Sequence, residues 1–375
     1  MTSASPPDTA SPDTAPAGLQ QRLPEARLVE PVIIPLAALV VSALIFSVFL
    51  LALGKSPATF FSLVWKGGFS SWFSIQNALL RAAPLILTGL AFAIPARIGL
   101  TLLGAEGALV LGGLAAAVVA LPMQGLGLPA LVILPAMALA AMAVGAGWMG
   151  IAGWLKHARG VNETISSLLL TYVAIAIASF LIEGPFRDPG SANKPSTQPL
   201  GPDLRIGEMF GSSVHWGLAA GLVLAVVLWV VMARTSFGFA ARIAGGNLRA
   251  AQGQGLPVGR LMIACCAIAG ACAGLAGFFE VGAIHGQANA SLAAGYGFAG
   301  ILVAFLARQN PLAIVPVAIF LGALDASGGL VQRRMEMPDA TMLVLQGMIF
   351  LTLLVSDTFY GRLPFLNYHR GGDRT

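Results

Sequence analysis

Long uninterrupted apolar runs are the feature that most constrains how this chain can fold. Two of them, Trp216–Ala233 and Leu261–Ile284, flank a polar insert, and each is long enough to cross a hydrocarbon core of ~30 Å. The runs are continuous rather than alternating in polarity, which indicates helices and not the strands of a barrel. Only 10% of the 375 residues are charged, whereas a soluble domain has ~25%. We therefore expect an integral membrane protein.

The apolar runs predict an all-α polytopic membrane helical bundle of about ten transmembrane helices, with both termini in the cytoplasm. The predicted spans, with approximate bounds, are Val32–Leu53, Ala82–Pro95, Leu102–Leu121, Leu131–Trp154, Thr164–Ile182, Trp216–Ala233, Leu261–Ile284, Gly295–Ala307, Leu312–Leu330 and Thr341–Ser356. The run Gly295–Ala307 can also be interpreted as a re-entrant half-span, which would leave nine spans and an external C-terminus. With ten spans, Arg333 and Arg334 face outward, which is an exception to the excess of basic residues in cytoplasmic loops.

Composition outside the spans predicts how the chain is divided. Residues 1–27 are rich in Pro, Ala, Ser, Thr and Asp, and we expect a disordered cytoplasmic tail because they bury too little apolar surface to fold. Residues 28–360 are expected to form the transmembrane domain, and the basic segment 361–375 a second cytoplasmic tail. The aromatic-rich stretch Pro57–Arg81 predicts an interfacial segment on the outer side. The Pro-rich insert Glu183–His215 predicts an external loop.

The polar insert of residues 234–260 carries a consistent positive charge and no acidic residue. Its arginines are Arg234, Arg242, Arg249 and Arg260. Short cytoplasmic loops carry the excess of Lys and Arg, so the insert is expected on the cytoplasmic side. The Ala-rich stretch Ala240–Gln254 can form a short helix, with glycines as punctuation. A short helix at the inner face is a surface that a soluble partner can bind; an ordinary connecting loop is the alternative.

Three acidic residues fall within or at the ends of predicted spans. A charge at the centre of a membrane helix costs ~2.5–3.5 kcal/mol on the insertion scale, so each is a candidate functional residue. Glu106 can line a solute pathway, as a direct contact or as a fixed hydrogen-bond hub, or it can cap its helix through backbone amides near Gly104 and Gly107. Glu280 is better explained as an interfacial carboxylate. Asp325 can face a pathway or bond to a neighbouring helix.

Uncharged side chains supply further candidates for contact with a polar solute. The amides of Gln76 and Asn77 lie near the outer end of the second span. Tyr296 and Phe298 could stack on a flat ring; the alternative is that they pack against other helices or lie in an interfacial aromatic belt.

The sequence contains no Ser/His/Asp set, paired catalytic carboxylates, metal cluster or nucleotide-binding motif. We therefore expect no enzyme and no cofactor in this chain, and any ATP must be bound by another chain. The net charge of +5 does not indicate nucleic-acid binding, because the basic residues lie between spans, where they set topology. Cys265, Cys266 and Cys272 lie in one span without the spacing of a disulfide framework or a metal site, and predict helix packing.

Four segments carry a resemblance to a known family. They are GLTLLGAEGALVLGGLAAA, GVNETISSLLLTYVA, TSFGFAARIAGGNLRAAQGQGLPVGR with the following AIAGACAGLAG, and GYGFAGILVAFLARQNPLAIVPVAIFLGAL. In this order they resemble the permease subunits of bacterial ATP-binding-cassette importers. The branch is that of ribose and branched-chain amino acid permeases, nearest to the nucleoside (basic membrane protein-associated) permeases.

The resemblance covers about Pro84–Leu354, with three departures. Leu102, Ala108 and Gly246 stand where the branch usually has Asn, Gln and a common Glu. The first two lie beside the predicted pathway, so the solute can be unusual for the branch.

The resemblance implies a division of labour between several chains. Two permease chains, this one and a related second permease, form the pathway through the bacterial inner membrane. Two ATPase subunits bind ATP and Mg²⁺, and a periplasmic or lipid-anchored binding protein delivers the solute. The implied residues for coupling to the ATPases are Arg242, Asn247, Arg249, Ala250 and Gly255. The implied residues of the pathway are Asn77, Glu106, Phe298 and Asp325.

The function expected from this resemblance is import of a small polar solute, a nucleoside or nucleobase first and a sugar second. An ion-coupled secondary transporter is a different hypothesis, which would need Glu106 and Asp325 as ion or proton relays. A membrane scaffold or an enzyme acting on lipid is disfavoured because interfacial polar clusters are scarce.

Overall fold

The computed structural model describes residues 24–191, 194–209, 211–338 and 340–357. Within these ranges the chain forms thirteen α-helices, and its strand-like pairing is limited to isolated bridges. The helices are α1 (Pro24–Ala52), α2 (Pro57–Gly68), α3 (Trp72–Ala96), α4 (Ala105–Gly125), α5 (Ala130–Arg159), α6 (Glu163–Glu183), α7 (Gly217–Arg234), α8 (Ser236–Gly246), α9 (Leu248–Gly253), α10 (Val258–Phe279), α11 (Tyr296–Leu306), α12 (Pro311–Met335) and α13 (Ala340–Asp357). A π-helical turn, Glu280–His285, extends α10.

Eight helices of the described chain are long and apolar enough to cross a membrane. They are α1, α3, α4, α5, α6, α7, α10 with its π-helical turn, and α12. Two shorter apolar segments, Ala290–Leu306 and Ala340–Ser356, occupy the positions of the other two predicted spans. The all-α polytopic bundle is therefore confirmed, whereas ten crossings and cytoplasmic termini stay predictions.

Connections between the helices fall at two ends of the bundle. At the end that we call the basic end, the Arg97 guanidinium after α3 donates to the Gln309 carbonyl before α12. Helices α8 and α9 lie at this end too. At the opposite end, the loop end, residues 184–216 cover the chain that follows α10. There the Thr197 amide donates to the Ala288 carbonyl at 2.9 Å, and the Leu200 amide donates to the Gly286 carbonyl at 2.8 Å.

The predicted interfacial segment Pro57–Arg81 is divided between two helices, and its second part belongs to a helix long enough to span the membrane. Helix α2 ends at Gly68, where a Cβ would meet the Ala323 carbonyl of α12 at 2.8 Å, so α2 packs into the bundle. Residues 72–81 are the first part of α3, which makes the second span longer than the predicted Ala82–Pro95. Polar residues lowered the hydropathy of this stretch, but 83% of the apolar window of α3 is buried against other helices rather than lipid.

The predicted division into tails and a transmembrane domain stays a prediction. Helix α1 begins at Pro24, so it includes residues 24–27, the last part of the predicted tail 1–27. They continue the helical register of the apolar run that follows. Residues 1–23 and the predicted tail 361–375 lie outside the described residues.

Small residues bring α4, α5 and α10 into close contact. A Cβ at Gly112 would lie 2.5 Å from the Gly274 Cα, and one at Gly145 would collide with the Gly270 carbonyl. Such positions let helix backbones approach each other in a membrane, where van der Waals packing drives association. The three cysteines are buried in α10, and Cys266 packs against Gly153, which agrees with the predicted packing role.

Candidate functional site

The buried carboxyl group of Glu106 joins two helix N-termini inside the bundle. Its Oε1 accepts the amide of Gly295 at 2.7 Å, and its Oε2 accepts the amide of Gly297 at 2.5 Å. Glu106 lies in the first turn of α4, and the two glycines begin α11. The first N–H groups of a helix lack partners within it and carry partial positive charge. A single carboxyl group therefore satisfies the start of α11 and complements the start of α4.

Hydroxyl groups on α6 explain why α4 can begin inside the bundle. The chain just before α4 is not helical, and the Leu103 amide donates to Ser167 Oγ at 2.9 Å. Thr171 Oγ1, one turn further along α6, donates to the Leu103 carbonyl at 3.2 Å. Both hydroxyl residues are fully buried. They satisfy backbone groups that apolar surroundings would leave without partners.

The amide partners of Glu106 differ from those expected. They belong to Gly295 and Gly297 on a distant helix, not to the region of Gly104 and Gly107 in its own helix. Glu106 is only 2% exposed, and both of its oxygens are engaged. This geometry favours a fixed hydrogen-bond hub over direct contact with a solute. Its part in transport stays a prediction.

Five side chains from five helical segments form what we call the polar layer. Tyr296, the first residue of α11, has Arg81 of α3, Asp325 of α12, Glu280 after α10 and Glu106 of α4 as its charged neighbours. Charged groups inside a helical membrane bundle face one another or a water-filled cavity rather than lipid. The polar layer is therefore the place where a polar solute would find hydrogen-bonding groups at membrane depth.

Two acidic members of the polar layer have neighbours that hold them. Gln346 Nε2 on α13 donates to Asp325 Oδ1 at 2.6 Å. Glu280 Oε2 lies 3.6 Å from His285 Nε2 across the π-helical turn. The interfacial position expected for Glu280 stays a prediction. The loop end contacts the π-helical turn beside it, where the Ile206 amide donates to the Gly282 carbonyl at 3.0 Å. Glu280 is accordingly only 5% exposed.

Asn77 lies on α3 at the level of Asp325. Its neighbour Ala78 presents a carbonyl that a Cβ at Gly322 of α12 would meet at 2.6 Å, and Asp325 is three residues beyond Gly322. Asn77 is half-buried. The structure therefore brings these two predicted pathway residues to one depth, toward the loop end.

Phe298 lies deeper, toward the basic end. Two residues after it, a Cβ at Gly300 would meet Thr88 Oγ1 at 2.5 Å. Thr88 is eleven positions after Asn77, which corresponds to about 16 Å along α3. Phe298 is 41% exposed, so it presents a ring at the surface of this single chain. Tyr296, two residues before Phe298, has Asp325 among its charged neighbours.

Sequence reasoning missed Arg81, and one local signal could have found it. Ser71 caps α3, with its Oγ accepting the Ser74 amide at 3.1 Å. A serine that precedes a helical stretch is a start signal. A helix begun at Trp72 places Arg81 about two and a half turns inside, where a charge would have been a candidate.

The polar insert of residues 234–260, which we call the coupling segment, forms two short helices rather than the one predicted. Thr235 caps α8, which ends at Gly246. Asn247 Oδ1 then accepts the amides of Arg249 at 3.0 Å and Ala250 at 3.1 Å, and so caps α9. Gly255, with φ of +78°, turns the chain after α9, a conformation that favours glycine. The extended backbone of Asn247 separates α8 from α9.

The exposed side of the coupling segment contains every predicted coupling residue. They are Arg242, Asn247, Arg249, Ala250 and Gly255. The other side is packed: Ala241, Ala244 and Ala251 are buried, and a Cβ at Gly245 would collide with the Arg97 carbonyl. The segment is thus a pair of helices that rests firmly on the end of α3 and presents a basic face outward.

Metal binding has no support in the described part of the chain, where no group of three or more His, Cys, Asp and Glu residues is arranged to hold an ion.

Residues 74–354 match the family described as the permease component of the branched-chain amino acid transport system. The chain is 34% identical over 340 residues to the glucose ABC transporter permease protein TsgB13 of Haloferax volcanii, covering 88% of this chain and 87% of that protein. It is 30% identical to the guanosine ABC transporter permease protein NupP of Bacillus subtilis, covering 78% and 84%. It is 27% identical to the guanosine ABC transporter permease protein NupQ of the same organism, covering 77% and 92%.

The family match extends from the start of α3 into α13 and therefore includes the polar layer and the coupling segment. The relatives are permease subunits of ABC transporters that this chain matches over most of their length. The chain therefore belongs to the family of branched-chain amino acid transport system permease components, and is a multi-pass ABC permease subunit of the cell inner membrane.

Proposed function

We propose that this chain is one of two permease subunits of an importer for a nucleoside or nucleobase. The observation that carries the proposal is the coupling segment: two capped helices packed on α3, with Arg242 and Arg249 exposed. A self-sufficient transporter has no need of such a face, whereas a chain that borrows the energy of ATP needs one. The solute class is supported by the similarity to NupP and NupQ, whose names specify guanosine.

The proposed assembly contains a second, related permease. NupP and NupQ are two permeases of one organism, and this chain is similar to both. Two separate ATPase subunits hold ATP and Mg²⁺ and grip α8 and α9. An external or lipid-anchored binding protein docks at the loop end and releases solute toward the polar layer, where Asn77 and Asp325 meet it first and Phe298 follows.

In the proposed mechanism the ATPases move α8, and rigid-body motion of the spans opens the pathway alternately to the two sides. Glu106 keeps the N-termini of α4 and α11 together during this motion. The solute is bound by neutral and charged hydrogen-bonding groups, and no bond in it is broken.

The test of coupling uses the double variant Arg242→Ala/Arg249→Ala in the assembled transporter. We expect solute-stimulated ATP hydrolysis and uptake to fall at least tenfold while the chain still inserts in the membrane. The matched control is Arg333→Ala/Arg334→Ala, which removes two exposed arginines near the end of α12 away from α8 and should leave coupling intact. Full uptake in the first double variant would refute the proposal.

A sugar is the second candidate solute, because the 34% identical relative TsgB13 is named for glucose. Uptake of labelled guanosine and of labelled glucose is measured separately in cells that express the transporter, each with unlabelled nucleosides, nucleobases, pentoses and glucose as competitors. Uptake of glucose without uptake of guanosine would assign the sugar.

An ion-coupled transporter receives less support from the geometry. Both oxygens of Glu106 are occupied by backbone amides, and Asp325 is bonded to Gln346. Glu106, only 2% exposed and with both oxygens engaged, is not placed as a relay open to water. Gradient-driven uptake by this chain reconstituted alone would reverse that conclusion.

A further inference from the structure

A cavity of about 1040 Å³ opens at the basic end between α1, the end of α11 and the first half of α12. Its walls are mostly aliphatic and aromatic. They include Leu36 and Leu39 of α1 and Val317 and Phe320 of α12. The cavity lies apart from the polar layer and from the exposed face of the coupling segment, so the proposed function does not use it.

Two arginines lie at the mouth of the cavity, and no carboxyl group of the described side chains lines it. Arg97 donates from Nε at 3.2 Å and from Nη2 at 2.9 Å to one carbonyl oxygen, that of Gln309. A guanidinium has five N–H groups, so donors remain for an anion. Burial, and to a smaller extent the charge of Arg242, lowers the pKa of the Arg97 guanidinium. An anion at the mouth would offset this crowding of positive charge.

The turn that presents Arg308 is unusual. Arg308 and Gln309 have φ of 51° and 57°, in the left-handed region that residues with a side chain rarely adopt. The Gln309 amide donates to the Ala304 carbonyl at 2.8 Å, and its carbonyl receives Arg97. Non-glycine residues persist in this region only where surrounding contacts hold them, and such strain is concentrated at binding sites.

The length of the cavity matches one leaflet of a bilayer. Its lining on α12 runs from just before Pro311 to Phe320. Ten residues of helix span about 15 Å, which is half of a hydrocarbon core of about 30 Å. Basic groups therefore lie at the depth of lipid head groups, and the apolar walls lie at the depth of acyl chains.

We propose that this cavity binds an anionic phospholipid, with the phosphate between Arg97 and Arg308 and one acyl chain along the apolar walls. Basic pockets between membrane helices on the cytoplasmic side bind anionic head groups for the same physical reason. The bound lipid would hold α1 against α12 and stabilise the strained turn before α12.

The test is native mass spectrometry of the purified full chain in non-ionic detergent. Phosphatidylglycerol and phosphatidylcholine with identical acyl chains are added in equal amounts. We expect one phosphatidylglycerol to be retained in preference. Arg97→Gln and Arg308→Gln should each reduce that preference about fivefold, the effect of about one charge near a surface. Arg308→Lys should keep most of it.

Two further variants separate the lipid from general charge and from misfolding. Arg159→Gln removes an exposed arginine at the same end but outside the cavity, and should change nothing. Ala313→Phe fills the apolar part and keeps both arginines, and should abolish retention of both lipids while the chain elutes as a single peak.

Three results would overturn the proposal. The first is equal retention of both lipids, unaffected by the arginine variants. The second is displacement of phosphatidylglycerol by inorganic phosphate or glycerol 3-phosphate, which would assign a site for a free phosphate. The third is binding only after deletion of residues 1–23, which would mean that this segment of the chain occupies the cavity.

Discussion

The Glu106 carboxyl group and the Gly297 backbone are in close contact and together form what we call the joint between α4 and α11. The carboxyl group accepts the Gly297 amide, and a Cβ on Gly297 would collide with the backbone of Glu106. The N-terminus of α11 is thus fixed to the N-terminus of α4 by a charge-assisted bond and by the absence of a side chain. Each half of this joint can be tested separately.

Replacing the carboxyl group should destabilise the chain. In Glu106→Gln one oxygen can still accept an amide, but the NH₂ group cannot, and it places a donor against a donor. Loss of one hydrogen bond to a carboxylate costs about 1.5–3 kcal/mol. We expect a lower thermal midpoint in fluorescence-detected size exclusion and reduced transport. Glu183→Gln, at an exposed carboxylate at the loop end, should leave both unchanged, and equal stability of the two variants would contradict the joint.

Adding a methyl group at Gly297 should separate the two helices. Overpacking of this kind costs about 1–3 kcal/mol. The matched control is Gly147→Ala in α5, where nothing lies within 4 Å of the added Cβ; this variant should be neutral or slightly stabilising, because alanine favours helix. The thermal midpoints of both variants measure the difference. A Gly297→Ala chain as stable as Gly147→Ala would show that the contact can relax freely.

The architecture was predictable where local chemistry decides it. Apolar runs gave the helical bundle, and the short run Gly295–Ala307 corresponds closely to α11. Asn162, a residue type that favours helix starts, caps α6 through the amides of Thr164 and Ile165. Hydropathy failed for α3, because a helix that is surrounded by other helices can carry Arg81 without exposing it to lipid.

The cap of α9 should matter for coupling. Asn247→Ala removes the acceptor for the Arg249 and Ala250 amides and should cost about 1 kcal/mol of local helix stability. In the proposed assembly we expect a severalfold loss of solute-stimulated ATP hydrolysis, with faster amide exchange over residues 247–254. Gln252→Ala changes an exposed residue of the same helix without touching the cap. If both variants couple equally well, the cap is not needed.

Acid should loosen the loop end through His215. Its ring is buried, its Nδ1 accepts the Gly217 amide at 3.0 Å, and burial lowers its pKa to about 4. The unfolded chain takes up a proton near pH 6.5, before the folded chain does. Stability is therefore complete above pH 6.5 and is lost progressively as the pH falls toward 4.

At pH 5 the folded state has lost about 2 kcal/mol of stability through His215, relative to neutral pH. Thermal midpoints at pH 7.5 and pH 5 should differ less in His215→Leu than in the parent chain. The variant will be less stable at neutral pH, because the Gly217 amide loses its acceptor. An unchanged difference between the two pH values would exclude His215 as the cause.

A flat solute should depend on the ring of Phe298. Stacking of a base on an aromatic side chain is worth about 1–3 kcal/mol, so Phe298→Leu should raise the KM for guanosine about tenfold while kcat changes little. Phe180→Leu replaces an exposed ring on α6 with the same change in shape and serves as the control. Equal KM values in the two variants would remove Phe298 from the pathway.

The candidate site was predictable only in part, because its partners are distant in sequence. The carboxylates Glu106 and Asp325 were evident as charges in apolar runs. Gly295 lies 189 residues from Glu106, and nothing local announces their bond. Likewise, Gln346 is an unremarkable amide until α13 packs beside Asp325. These pairs are brought together by tertiary packing, about which the pattern of a single sequence carries no information.

The contact between Gly245 and the Arg97 carbonyl has a mechanical consequence. Gly245 has no side chain and lies directly against the Arg97 carbonyl, so a displacement of α8 is passed to the end of α3 rather than taken up locally. Arg97 in turn donates to the Gln309 carbonyl, so the same displacement would reach the ends of α3 and α12 at the basic end together. One contact at Gly245 would therefore transmit a movement of α8 to both α3 and α12. A methyl group at residue 245 would push α8 away from Arg97 and weaken that transmission.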